Sequence, residues 1–392
     1  MFIPVGKLII ALIWVFWVVG VDSSLGQKMS HHDHSKMSPS EIKETMKLWE
    51  QQQLEEPKEE YFPTYSSTFD KVKDRGVVYC GTKDDFKGFS ESYWDSDSTD
   101  GEIWVGFDVD ICRAVAAAVL GDATAVEYVV VDGKTRFEYL IDGSIDVLSA
   151  ATTYTFTRNV SKKLEFLPTT YYDGQGFITK KTLGVSSAKQ MVGAKICMSS
   201  TGTSKKNIED FFKKHFIEYI PVVVPVGQKS KDWYLRGECD MYGTDRSGLA
   251  SNRTTFKDAE WHIILPEVIS KEPLGPVVKY GDQKWSDIVR WTVYVLFIAE
   301  ELEINSKNID NFIEHIDPNI QRFMGELNGA DHPHLGDKLG LSSTWAYDII
   351  KQVGNYREIY ERNVGKNTPL GLERGLNKLY KDGGLLYAPP LR

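Results

Sequence analysis

Ile145-Asp-Val-Leu-Ser-Ala-Ala-Thr-Thr-Tyr-Thr-Phe-Thr-Arg158 is the stretch from which the fold is read. Its first four residues form an apolar strand signal. The polar run that follows reads as a strand end turning into a helix near Thr155. A helix start leaves backbone N–H groups without partners. With the Thr153 hydroxyl and the Arg158 guanidinium, those donors suit one small anion, and a carboxylate fits. The plainer alternative is a Thr-rich surface loop.

Moving outward, strands and helices alternate. Residues 75–80 read as a first strand, 81–89 as the loop at its end and 91–102 as an acidic, Ser-rich surface loop. Residues 106–110 open a helix that runs to Leu120 and stops at Gly121. An apolar strand is expected over 126–131 and a short helix over 134–141. This rhythm implies a parallel sheet, with ligands gathering beyond the strand C-termini. Both the 81–89 loop and Thr153–Arg158 lie on that side. Two glycines interrupt the rhythm in Tyr171-Tyr-Asp-Gly-Gln-Gly176, which reads as a hinge before a strand over 177–181.

A second alternating run follows. It has strands over 194–198, 219–226 (interrupted by two prolines) and 239–242, and helices over 205–214 and 232–237. Asp245 lies just past the last of these strands. Residues 263–269 return the chain, and 271–273 read as a second crossing. The remainder reads as helices over 285–302, 306–314, 343–355 and 369–381. A tail over 383–392 is apolar enough to pack in a groove.

The chain has 392 residues, enough for two lobes, and an ordinary composition with 42% hydrophobic and 26% charged residues. Its net charge of −9 argues against binding nucleic-acid phosphates. Lys7 precedes an uncharged apolar run over 8–21, and Ser24-Leu25-Gly26 supplies small residues for cleavage, so residues 1–26 read as a secretory signal. Residues 27–67 form a polar extension with a charged helix expected over 38–54. Its His31-His32-Asp33-His34 tract reads as a solvated tail, and no metal site is expected. The apolar segment over 288–299 carries Arg290 and reads as a buried helix. Four cysteines in a secreted chain suggest disulfides. Three pairings are possible, and proximity favours Cys80–Cys112 and Cys197–Cys239. Asn159 and Asn252 begin glycosylation sequons.

Two crossings between similar lobes make a cleft. The first lobe offers it Phe86, Thr153 and Arg158; the second offers Gly202, Thr203, Ser204 and Asp245. A guanidinium for a carboxylate and a carboxylate for an ammonium describe a free α-amino acid.

From about Thr68 to Arg392 the chain resembles the extracellular solute-binding proteins of bacterial polar amino-acid ABC transporters, and among them the general L-amino-acid binders. The resemblance rests on Gly106-Phe-Asp-Val-Asp-Ile-Cys-Arg-Ala-Val-Ala-Ala-Ala-Val119, Gly133-Lys-Thr-Arg-Phe137, Asp146-Val-Leu-Ser149 and Tyr171-Tyr-Asp-Gly-Gln-Gly-Phe177. Further support comes from Ile269-Ser-Lys-Glu-Pro-Leu-Gly-Pro-Val-Val278, Ile350-Lys-Gln-Val-Gly-Asn-Tyr356, Glu361-Arg-Asn-Val-Gly365 and Tyr387-Ala-Pro-Pro390. It implies an α/β two-lobe periplasmic-binding-protein (Venus flytrap) fold of type II with a C-terminal helical extension. Lobe one would be residues 68–175 and 272–392, and lobe two 176–271. It also implies Arg158 as the carboxylate clamp, helped by Thr153, Asp245 as the amine partner and Phe86 covering the ligand. The Thr203 region would meet the carboxylate from lobe two. Four cysteines match, which supports the two pairings within lobes.

Lys83 departs from the pattern. Smaller relatives have an acidic residue there, and a cation would repel an ammonium or favour an acidic side chain. The resemblance implies capture of a free amino acid without catalysis or cofactor, by a monomer, for a membrane permease if the source is bacterial. The location would be secreted, or periplasmic in a bacterium. The signal, sequons and extension also suit a eukaryotic secreted protein with no permease. Two other functions reuse the fold: an extracellular scaffold or interaction protein, and a dehydratase-like enzyme with Lys83, Asp84 or Asp85 as general acid.

Overall fold

The computed structural model describes residues 65–96, 101–326 and 334–392, together with Ser38, Ser40, Lys43, Glu44 and Lys47. The chain divides into Met1–Thr64 and Tyr65–Arg392. In the first unit Ser40, Lys43, Glu44 and Lys47 are helical, within the helix expected there. The signal and the His31–His34 tract lie outside the described residues.

The second unit opens with a helix that sequence reading missed, α1 (Thr68–Arg75). Ser67 caps it by accepting from the Asp70 N–H, Gly76 closes it at φ 76°, and Phe69 and Val72 are its buried face. β1 (Val78–Thr82) then runs into the first core. The two ends of the loop expected over 91–102 are instead sheet: β2 (Asp85–Phe86), β3 (Ser90–Trp94) and β4 (Glu102–Val105) form an antiparallel ribbon. Its aromatic and branched residues at 93–94 and 103–105 favour strand despite the charges around them.

α2 (Phe107–Leu120) is buried at nearly every position, and its alanines let it lie close against the sheet. Gly106 before it sits at φ 135°, where a side chain would meet the Phe89 carbonyl at 2.2 Å, so the turn into α2 requires glycine. β5 (Val126–Val130) contains Glu127 and lies at the sheet edge, exposing the residue an all-apolar strand would bury. α3 (Arg136–Asp142), β6 (Val147–Leu148), β7 (Leu164–Phe166) and β15 (Val277–Lys279) complete the lobe. The strand order is β5-β1-β6-β15-β7, with β1 parallel to β5 and β6, and β15 antiparallel to β6 and β7.

The second sheet repeats this plan in the order β11-β10-β12-β9-β13. Its strands are β9 (Gln175–Lys180), β10 (Lys195–Ser199), β11 (Ile220–Val224), β12 (Met241–Asp245) and β13 (His262–Ile264). α4 (Ser204–Lys214), α5 (Ser230–Leu235) and α6 (Arg246–Arg253) accompany them. β11 carries Pro221 and takes the edge, where a missing N–H costs least.

The two crossings are one paired ribbon. β8 (Tyr171–Asp173) and β14 (Glu272–Leu274) run antiparallel, with Glu272 opposite Asp173. Cys80–Cys112 ties β1 to α2, and Cys197–Cys239 ties β10 to the approach to β12, with Cα separations of 6.2 and 5.7 Å, both suited to a disulfide.

The C-terminal part completes the first core and does not stand apart from it. α7 (Gln283–Glu301), α10 (Trp345–Val353) and α11 (Tyr356–Asn363) contribute to the same buried cluster as α2; the short helices α8 (Pro318–Met324) and α9 (Leu335–Leu339) precede α10. α7 is the buried helix expected around Arg290, whose guanidinium reaches Glu165 at 2.9 Å. Two expected helices are absent. Over 306–314 only a 3-10 turn, Ile309–Phe312, forms: the Asn305 carboxamide accepts from the Lys307 and Asn308 N–H groups, competing with helical bonds. Over 369–381 the chain bends at Gly371 (φ 61°) and Gly375 (φ 48°), and Asn377 pairs with the Tyr172 backbone on β8. Tertiary contact outweighs local propensity there. The expected helix over 343–355 ends at Gly354, and an Asn355–Glu358 capping box starts α11. Leu386 of the tail is fully buried. Among the described residues no helix is long and apolar enough to cross a membrane.

Candidate functional site

The parallel strands of both sheets end toward the same region, and the charged residues collect there. Asp108, in the first turn of α2, accepts from the Ser149 hydroxyl at 3.0 Å and the Ala151 N–H at 2.8 Å. These bonds hold the β6 strand end, where Ala151 takes φ 46°. Burial pushes the Asp108 carboxyl up to about 6.

The helix expected near Thr155 is a single π turn, Thr157–Ser161. Its start is partly capped: the Arg158 N–H goes to the Thr155 hydroxyl at 3.3 Å and the Asn159 N–H to the Thr155 carbonyl at 3.0 Å. Arg158 itself is 8% exposed, and its Nη1 donates to the Thr153 carbonyl at 2.7 Å. Thr153 is buried and bridges to Leu274 near the crossing ribbon. Burial lowers the Arg158 pKa, and the charges of Glu272 and Asp245 oppose that shift.

Asp245 ends β12 at the N-cap position of α6, but its side chain does not cap the helix. Asp173 from the crossing strand does so instead, accepting from the Ser247 N–H at 3.1 Å. The Asp245 side chain is left with no hydrogen bond or ion pair to another described residue. Burial, with the neighbouring Asp173 and Glu272 charges, pushes its carboxyl up to about 8, against the pull of Lys83 and Arg158. Burial also raises Asp173 to about 6.

The Gly202–Ser204 segment faces the crossing ribbon. The Thr203 hydroxyl donates to Glu272 at 3.1 Å, the Ser204 carbonyl accepts from Gln175 Nε2 at 3.2 Å, and Gly202 takes φ 89°. Glu272, only 1% exposed, also receives Asn207 and Ser270, so its charge is well satisfied.

Between the lobes lies a cavity of about 480 Å³, lined by Lys83, Phe86 and Asp132 from one side and Thr201, Lys229 and Asp245 from the other, among others. Phe86 stacks on Phe89 at 4.6 Å and lies 3.9 Å from where a side chain on Gly248 would begin. Lys229 pairs with Asp85 across the cavity. Of the expected residues, Phe86 and Asp245 line the cavity. Thr153, Arg158 and Gly202, Thr203 and Ser204 are outside its lining. The Asn252 sequon also lines it, whereas the Asn159 side chain donates to the Leu164 carbonyl at 2.7 Å.

Sequence reasoning missed Arg136. It is 7% exposed, its guanidinium lies 4.7 Å from the Phe137 ring centroid, and Arg158 lies 5.4 Å from the same ring. Its Nε is buried without a hydrogen-bond partner among the described residues. Burial and then the Arg158 charge lower its pKa to about 9, with Asp245 and Asp132 opposing. The available signal was Gly133-Lys-Thr-Arg-Phe137, which follows the C-terminal end of β5, on the side to which β1 and β6 also lead. Among the described residues no group of three His, Cys, Asp or Glu could hold a metal.

Two α/β lobes, joined by a paired crossing and enclosing a charged cavity, define a two-lobed binding protein of the type II periplasmic class. The chain belongs to the bacterial extracellular solute-binding proteins, family 3, whose model matches residues 79–366. It is 46% identical over 327 residues to the general L-amino acid-binding periplasmic protein AapJ of Rhizobium johnstonii, covering 83% of this chain and 93% of that one. It is 45% identical over 328 residues to the glutamate/glutamine/aspartate/asparagine-binding protein BztA of Rhodobacter capsulatus, covering 83% and 94%. A solved periplasmic binding protein of an ABC transporter from Brucella ovis, with glutathione bound, superposes with a TM-score of 0.79 at 41% identity, covering 84% of this chain and all of that one.

Proposed function

We propose that this protein captures a free L-amino acid between lobe one (68–175 and 272–392) and lobe two (176–271), without catalysis. Arg158, helped by Thr153, takes the carboxylate; Asp245 takes the ammonium; Phe86 covers the ligand. The Gly202–Ser204 segment closes on the carboxylate from lobe two. The observation that carries this reading is Asp245: a carboxylate on the cavity wall, raised by burial and like charge, with no partner of its own. An ammonium supplies the missing countercharge, and charge-assisted bonds of this kind are roughly twice as strong as neutral ones.

The names of the relatives support an amino acid as ligand, and that of the Brucella ovis protein supports service to an ABC transporter, with a membrane permease as the partner in a bacterium. They and the two disulfides favour an extracytoplasmic location, periplasmic in a bacterium. Any glycan falls on Asn159, because one on Asn252 would occupy the cavity.

A thermal-shift screen with the twenty amino acids tests the function. A binder melts higher with its ligand, by an amount that grows with ligand concentration over Kd. A flat response to all twenty, unchanged in Arg158→Ala, would favour the scaffold role.

A further inference from the structure

The cavity wall carries a cation that neither the α-carboxylate nor the ammonium of the ligand uses. Lys83 lines it, with Nζ 4.7 Å over the Phe86 ring, yet Lys83 has no hydrogen bond or ion pair to another described residue. The acids near it are committed elsewhere. Asp85 pairs with Lys229, and Asp108 accepts from Ser149 and Ala151. Asp132 accepts from the Lys134 and Thr135 N–H groups, Asp84 is exposed to solvent, and the ligand ammonium claims Asp245. Arg136 adds a second buried cation with an unpartnered Nε, close enough for its charge to oppose the Lys83 proton. Once Arg158 holds an α-carboxylate and Asp245 an ammonium, the Lys83 ammonium and the Arg136 Nε still lack a hydrogen-bond partner among the described residues. Buried charge without a counterion is strongly unfavourable.

We propose that Lys83, supported by Arg136, binds a second anionic group on the ligand, and that the protein selects L-amino acids with an acidic side chain. This rests on the amino-acid reading above and deepens it. Specificity is a difference between affinities. Here an acidic side chain satisfies Lys83, whereas its amide counterpart leaves that charge unbalanced.

Titration calorimetry of the full chain with L-glutamate, L-aspartate, L-glutamine and L-asparagine tests this. Wild type should bind each acid at least about tenfold more tightly than its amide, a difference of about 1.4 kcal/mol. Lys83→Gln should cut that ratio severalfold or more, and Lys83→Arg should keep it. Circular dichroism of both variants checks that they fold. Binding of glutamine and glutamate with equal affinity to wild type would overturn the inference and leave amino-acid capture standing. An unchanged ratio in folded Lys83→Gln would also overturn it. Absence of binding to all four would overturn this inference, and the screen of all twenty amino acids then decides whether amino-acid capture stands.

Discussion

Asp173 accepts a hydrogen bond from the Ser247 N–H at 3.1 Å, and so a residue of the crossing strand caps the helix that follows Asp245. Asp245 occupies the N-cap position without doing the capping. This division of labour frees one carboxylate for a ligand while the helix start is still satisfied. Replacing a cap by alanine typically costs about 1 kcal/mol. Asp173→Ala should therefore lower stability by about that amount in urea unfolding. It also removes a like charge, so the Asp245 pKa, read by NMR of the carboxyl carbon, should fall below that of wild type.

Arg158 is buried, bonded to Thr153 and influenced by Glu272 and Asp245. Truncating one partner of a buried, hydrogen-bonded charge pair costs roughly 2–5 kcal/mol. Arg158→Ala should weaken amino-acid binding at least about thirtyfold by calorimetry. Arg158→Lys should recover only part of it, because lysine lacks the planar fork.

Asp245 sets opposing demands on stability and binding. Its folded pKa of about 8 lies far above the value of about 3.9 for an unfolded aspartate. The folded chain therefore holds a proton that the unfolded chain releases, so this group's contribution to stability falls as pH rises from about 4 to about 8. Asp245→Asn should melt higher than empty wild type at pH 7, with the gap closing toward pH 4. The same variant should lose most amino-acid affinity. In wild type, an arriving ammonium favours the ionised form. Binding at pH 7 should then release a proton, seen as heats that differ between buffers of different ionisation enthalpy.

The Lys229–Asp85 pair joins the two sides of the cavity, but both side chains are about half exposed. Exposed pairs contribute about 0–1 kcal/mol. Lys229→Ala should change amino-acid affinity less than about fivefold, and added salt should shrink even that. A larger loss would show that the pair, and not the ligand's own contacts, holds the lobes closed.

The fold was legible where local signals agree with tertiary structure. Gly121 stops α2 where the sequence indicates, and the strand–loop–helix order of both lobes follows from alternating apolar and polar runs. The failures have physical causes. No local pattern marks the π turn at Thr157–Ser161, so the helix expected near Thr155 is a single turn of a different form. The helix over 369–381 loses to the bond between Asn377 and Tyr172, residues 205 apart in the chain. Arg136 read as an ordinary helix-start residue. Its role depends on Phe137 and Arg158, which only the folded chain brings beside it. Phe86 and Asp245 reach the cavity wall because each follows a strand that leads there, a relationship the sequence does carry.

The most direct test compares free and N-acetylated L-amino acids by titration calorimetry on the full chain. Acetylation removes the ammonium and leaves the carboxylate and side chain in place. Asp245 as amine partner predicts measurable binding of the free amino acid and a loss of at least about a hundredfold for its N-acetyl form. Equal affinity for the two would show that no ammonium meets Asp245.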